Sequence, residues 1–94
     1  MGRLVSPGNA VRTSVDAVSD LVRECLYPRP EAPVEDDADL VALGLDSLVL
    51  IQIVAGLQDL YGIEIALDDL DPRNFETAGA IKRFVEQKLA AERR

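Results

Sequence analysis

Leu43-Gly44-Leu45-Asp46-Ser47-Leu48 decides how this chain reads, because it places a serine at the opening of a helix. Gly44 ends the preceding loop with a residue that tolerates unusual backbone angles. Asp46 is a good N-cap, and apolar residues at helical spacing follow at once. Ser47 then lies in the first turn, where backbone N–H groups lack intrahelical partners and the helix dipole leaves partial positive charge. A phosphate joined to the Ser47 hydroxyl would sit in a favourable field. The serine reads as an attachment point and not as a nucleophile. The sequence has no histidine to activate it, and Gly44-Leu45-Asp46-Ser47-Leu48 is not the G-x-S-x-G elbow of serine hydrolases.

From Ser47 the helix is expected to run to Tyr61 and stop at Gly62, a natural C′ glycine. At ~100° per residue, Leu50, Ile53, Val54, Leu57 and Tyr61 form a normal core-facing stripe. Leu48, Ile51 and Ala55 form a second apolar set, too far round the helix for the same core to cover. A helix sandwiched between two neighbours would explain it. So would an exposed apolar strip beside Ser47, flanked by Gln52 and Gln58 and kept for contact with protein partners.

On the N-terminal side, Val11, Val15, Val18, Leu21, Val22, Cys25 and Leu26 recur at spacings of three and four, which predicts an amphipathic first helix. It ends at Tyr27-Pro28-Arg29-Pro30, because Pro28 biases its predecessor away from helix and has no N–H to donate. The connection from about Tyr27 to Leu45 is long for a compact domain and needs anchors, for which Leu40, Leu43 and Leu45 are the candidates. On the C-terminal side, Ile63-Glu64-Ile65 reads as an extended loop inserting its isoleucines into the core. Leu67 to Asp71, halted by Pro72, predicts a short third helix. Thr77 caps a final helix to Glu92 with Ile81, Phe84, Val85 and Leu89 on one face, and Lys88, Arg93 and Arg94 complement its dipole. The expected fold is all-α: a small four-helix bundle of three principal helices and one short one, with a long first loop.

Ninety-four residues, 48% of them hydrophobic, suit one domain. Residues 1–10 read as a flexible leader and 11–92 as the domain. No apolar run approaches the ~20 residues of a membrane span, and Met1 to Ala10 does not resemble a signal peptide, so a cytoplasmic monomer is expected. Cys25, the single cysteine, reads as a small hydrophobe of the first helix. The net charge of −7 includes Glu31, Glu35, Asp36, Asp37 and Asp39 ahead of the central motif. Such a surface disfavours nucleic acid and anionic membrane and favours basic protein partners. No metal site is expected, and Asp68, Asp69 and Asp71 read as a solvated turn because they lack the calcium-loop pattern.

The central motif, followed fourteen residues after Ser47 by Tyr61-Gly62-Ile63-Glu64-Ile65, resembles the acyl and peptidyl carrier proteins of fatty-acid, polyketide and nonribosomal-peptide synthesis. The likeness covers about residues 11 to 90. It implies that Ser47 receives 4′-phosphopantetheine from coenzyme A through a magnesium-dependent phosphopantetheinyl transferase. It further implies that Asp46 helps that enzyme position magnesium and coenzyme A, and that the arm's thiol holds an acyl or aminoacyl group as a thioester. A loading ligase and an acyltransferase or synthase are the other implied partners, and the chain itself would not be an enzyme.

The chain also departs from that family's fatty-acid members. Their second helix is studded with acids, whereas the corresponding surface positions here include Val49, Leu50, Gln52 and Gln58, and Asp59 is the one acid between Leu48 and Gly62. This implies a dedicated partner that reads Leu48, Ile51, Gln52, Ala55 and Gln58 through more apolar contact. Asp69-Leu70-Asp71-Pro72-Arg73-Asn74-Phe75-Glu76-Thr77 is similar to free-standing carriers of small units such as amino acids or hydroxylated three-carbon acids, which points to specialised metabolism, antibiotic biosynthesis included. The alternatives are a housekeeping fatty-acid carrier and a helical interaction module without a prosthetic group.

Overall fold

The structure is a computed structural model and describes residues 15–92. These residues form three α-helices, α1 (Ala17–Cys25), α2 (Ser47–Tyr61) and α3 (Ala78–Glu92). Two 3-10 turns, Leu67–Asp69 and Pro72–Phe75, lie between α2 and α3. No strand occurs among the described residues. The expected leader, and the expected start of the first helix at Val11, lie outside them.

The α1 helix sets Val18 and Val22 into the core, and the chain leaves helical geometry at Leu26, which is itself buried. Cys25 is half-buried, and burial, followed by the charge of Glu24, pushes its thiol pKa up. The Arg23 guanidinium donates to the Pro30 carbonyl at 2.8 Å and to the Glu31 carbonyl at 2.7 Å, fastening the start of the long loop to α1.

Further along, the loop is held from inside. Val34 and Leu40 are buried, while Leu43 and Leu45 are half-buried against the same core. Three bonds then tie it to the start of α3. Leu40 N–H donates to the Glu76 carbonyl at 3.0 Å, Gly79 N–H donates to the Asp36 carbonyl at 2.9 Å, and the Lys82 ammonium reaches the Asp36 carboxylate at 2.6 Å. Nearly twenty residues without regular structure are thereby fixed, because their backbone and apolar side chains find partners within the domain.

On α2 the buried residues are Val49, Ile53, Leu57 and Tyr61, whereas Leu50 and Val54 are only half-buried. The core face is therefore rotated toward Val49, and the reading of Val49 as a surface position is corrected. The cause is α1. Gly56 faces Leu21 so closely that a Cβ there would lie 2.6 Å from Leu21 Cδ1, and this approach draws the Val49 side of α2 inward.

The expected short helix from Leu67 to Asp71 is present only as one 3-10 turn, Leu67–Asp69. Leu70 leaves helical geometry after one 3-10 turn, and Pro72 opens a second turn instead of only ending the first. A proline without an N–H loses nothing at the first position of a helical turn. Asp69 and Asp71, expected to be merely solvated, cap these turns by accepting from Ala66 N–H and Arg73 N–H, each at 2.9 Å.

Phe75, from the second turn, is buried and meets the Phe84 ring at a centroid distance of 5.5 Å. Thr77 Oγ1 accepts from Ala80 N–H at 3.0 Å and caps α3, whose Ile81, Phe84 and Val85 complete the core. Burying each such side chain is worth roughly 1.5 to 3 kcal/mol. Lys88 pairs with Asp69 at 2.7 Å, so its charge serves the turn and not only the helix dipole. Arg93 and Arg94 lie outside the described residues.

Candidate functional site

Ser47 is the first residue of α2 and is exposed. Asp46 precedes it in extended geometry, and its Oδ1 accepts the Val49 N–H at 2.9 Å while its carbonyl accepts the Leu50 N–H at 2.8 Å. The Ser47 and Leu48 amides sit at the helix opening, where no carbonyl within the helix can reach them. No acidic residue occurs in the first turn of α2.

Gly44 delivers the chain to this point with a φ of 112°, a conformation that side-chain-bearing residues rarely adopt. A Cβ at Gly44 would also come within 3.1 Å of the Tyr27 carbonyl. The end of the loop therefore lies against the residues that follow α1, and the serine is held at one end of the bundle. Sequence reading missed the contact with Tyr27, because nothing local to either residue announces it.

The residues predicted to flank Ser47 divide into two groups. Leu48 and Ile51 are each 64% exposed, and Gln52 and Ala55 are exposed beside them. Gln58 is half-buried, and its Oε1 accepts the Ile65 N–H at 2.9 Å and pins the loop that follows α2. Half of its amide is thereby committed to the fold. Val41, in the long loop, adds another exposed apolar side chain at 66%.

The donor set suits a covalently held phosphodiester. It offers a solvent-facing hydroxyl, helix-opening amides and a capping carboxylate whose acceptor oxygen already engages the backbone. Among the described residues no group of three His, Cys, Asp or Glu side chains is placed to hold a metal ion, and no helix is long and apolar enough to cross a membrane.

Comparison with known proteins agrees with this geometry. Residues 16–85 match the family described as "Phosphopantetheine attachment site". The chain is 34% identical over 83 residues to acyl carrier protein 4, chloroplastic, of Arabidopsis thaliana, covering 84% of this chain and 59% of that protein. It is 31% identical to the acyl carrier protein of Wolinella succinogenes, with 76% and 91% covered, and 33% identical to the aminoacyl carrier protein of Agrobacterium fabrum, with 62% and 70% covered. A chain in the crystal structure of an engineered Bradyrhizobium japonicum glycine:[carrier protein] ligase, complexed with carrier protein from Agrobacterium tumefaciens and ATP, superposes with a TM-score of 0.58 at 28% identity, with 74% of this chain and 97% of that one covered. The same ligase and carrier protein with AMP give a TM-score of 0.65 at 24% identity, with 78% and 99% covered, which speaks for the fold alone. The chain belongs to the acyl and peptidyl carrier protein family, whose cofactor is covalently attached 4′-phosphopantetheine.

Proposed function

We propose that Ser47 carries the phosphopantetheine arm and that the protein presents a small acyl or aminoacyl thioester to partner enzymes, as a discrete carrier in polyketide- or nonribosomal-peptide-type synthesis. The observation that supports this most directly is the exposed hydroxyl at the opening of α2, with Asp46 capping the helix beside it. When bound, the arm supplies a thiol for thioester formation. The chain's own residues hold its point of attachment at the exposed start of α2 and offer partners a surface.

An aminoacyl cargo is favoured by two findings: the aminoacyl carrier protein among the relatives, and the glycine:[carrier protein] ligase complex among the similar structures. The partner surface would be Leu48, Ile51, Gln52 and Ala55, a strip in which contact area replaces the acids of fatty-acid carriers. The expected partners are a phosphopantetheinyl transferase, a loading ligase and an acceptor synthase or acyltransferase.

Incubation with coenzyme A and a promiscuous phosphopantetheinyl transferase should add the mass of one phosphopantetheine, and Ser47→Ala should abolish that gain while leaving the helical circular dichroism unchanged. Modification of the alanine variant would end the assignment. Asp46→Ala should cost about 1 kcal/mol of stability and slow modification beyond what that loss explains. The cargo follows from intact mass spectrometry of the protein isolated from its producer with the thioester preserved. A long fatty acyl chain there would exclude the small-unit reading.

A further inference from the structure

A cleft of about 460 Å³ lies between the end of α1 and the start of α2, away from the Ile51 side of the exposed strip. Cys25, Leu26, Tyr27, Leu48, Val49 and Gln52 line it, and Glu24, Gly44 and Asp46 also border it. We propose that the pantetheine arm on Ser47 folds back into this cleft, packing on Tyr27 and Leu48 and hydrogen-bonding with Gln52. The inference rests on the attachment at Ser47 argued above.

The tether begins at the cleft. Asp46 and Leu48, the two chain neighbours of Ser47, are both part of its wall. Beyond its phosphodiester, pantetheine is uncharged and alternates apolar groups with two amides. The cleft offers the complement: Tyr27 and Leu48 present apolar surface at 86% and 64% exposure with no protein to cover it. The exposed Gln52 amide can both donate to and accept from an amide partner. Glu24 and Asp46 would repel an anion but have no such effect on a neutral arm.

Gly44 preserves the cleft's shape. Any side chain there would crowd the Tyr27 carbonyl, with its Cβ at 3.1 Å, and would strain the backbone at a φ of 112°. The opposite flank of α2 offers less. Leu50 and Val54 are already half-buried against the core, and the Gln58 carbonyl is committed to Ile65.

Strong binding is not required. A short flexible tether gives an effective concentration on the order of millimolar, so a contact of millimolar affinity is populated about half the time.

The test uses acetyl-coenzyme A as donor, which leaves no free thiol on the arm and makes Cys25 the sole thiol of the loaded protein. Alkylation of Cys25 by iodoacetamide, followed by intact mass, should be about twofold slower in loaded than in unloaded protein, as half-occupancy of the cleft requires. In the Tyr27→Ala variant the two rates should converge. Amide resonances of residues 24–27 and Gln52 should shift on loading.

Equal alkylation rates in the wild-type protein, or shifts confined to the flank of Val54, Ile65 and Leu70, would overturn the proposal. Failure of the mass to rise on loading would instead remove the Ser47 assignment beneath it, so the two failures are distinguishable.

Discussion

The Gln58 side-chain carbonyl accepts the Ile65 backbone N–H at 2.9 Å, across a separation of seven residues. This bond joins the last turn of α2 to the extended segment that carries the buried Ile63 and half-buried Ile65. It begins just past the point where Gly62 ends the helix in left-handed geometry, its N–H donating to the Gln58 carbonyl at 2.9 Å. One residue therefore accepts the helix-ending bond through its backbone and holds the extended segment beyond it through its side chain.

Gln58→Ala should lower stability by about 1 kcal/mol, the usual net worth of one hydrogen bond. It should leave the KM of the loading or transfer enzyme unchanged. Urea unfolding and steady-state kinetics separate the two effects. A raised KM at wild-type stability would place Gln58 on the partner surface.

Gly56 and Leu21 set how closely α1 and α2 approach. Alanine at an exposed helix position is worth about 1 kcal/mol over glycine, but here its Cβ would meet Leu21 Cδ1 at 2.6 Å and Cδ2 at 3.0 Å. Gly56→Ala should therefore gain less than the propensity difference, or lose stability outright. In a Leu21→Ala background the same substitution should recover the full ~1 kcal/mol. Independent effects of the two substitutions in urea unfolding would show that the contact does not constrain the pair.

The Asp69 carboxylate is held below the ordinary carboxylate range, first by its hydrogen bond with Lys88 and then by the Ala66 N–H. A lowered folded-state pKa means that the unfolded chain takes up the proton first as pH falls. The contribution of Asp69 is therefore complete above the ordinary value near pH 4 and is lost as pH drops through the lowered one. The urea midpoint of the wild-type protein should exceed that of Asp69→Asn at neutral pH, and the difference should shrink below about pH 4. A difference constant from pH 7 to pH 3 would mean that the ion pair is not coupled to folding.

The ends of α2 and the start of α3 were legible because their signals are local. Asp46, Gly62 and Thr77 each act within a few residues, and the structure shows Asp46 and Thr77 bonded to Val49 N–H and Ala80 N–H. The rotation of α2 was not legible. Val49, Leu50, Ile53 and Val54 are all large and apolar, so periodicity allows several core faces, and the choice falls to a contact with α1 at Gly56. Pro72 was ambiguous for a different reason: a residue without an N–H can stop one helical turn or open the next. The bonds that fix the long loop, Asp36 to Gly79 and Leu40 to Glu76, join residues too far apart in sequence for any local pattern to reveal.

The exposed strip beside Ser47 gives the sharpest test of how partners recognise this carrier. Leu48 and Ile51 are 64% exposed while Val49 and Ile53 take the core positions, so neither is needed to hold the fold. Covering one of them in an interface is worth roughly 1.5 to 3 kcal/mol, more than the 0 to about 1 kcal/mol of a solvent-exposed salt bridge. Because α2 has no acid in its first turn, apolar contact should dominate docking near the serine. Ile51→Ala should raise the apparent KM of the loading enzyme severalfold with a stability change within about 0.5 kcal/mol. Raising the ionic strength should change that KM only modestly, since the Debye length governs charge pairs and not buried apolar area. A steep salt dependence, together with an unaltered KM for Ile51→Ala, would move the docking surface to the acidic loop before Leu40.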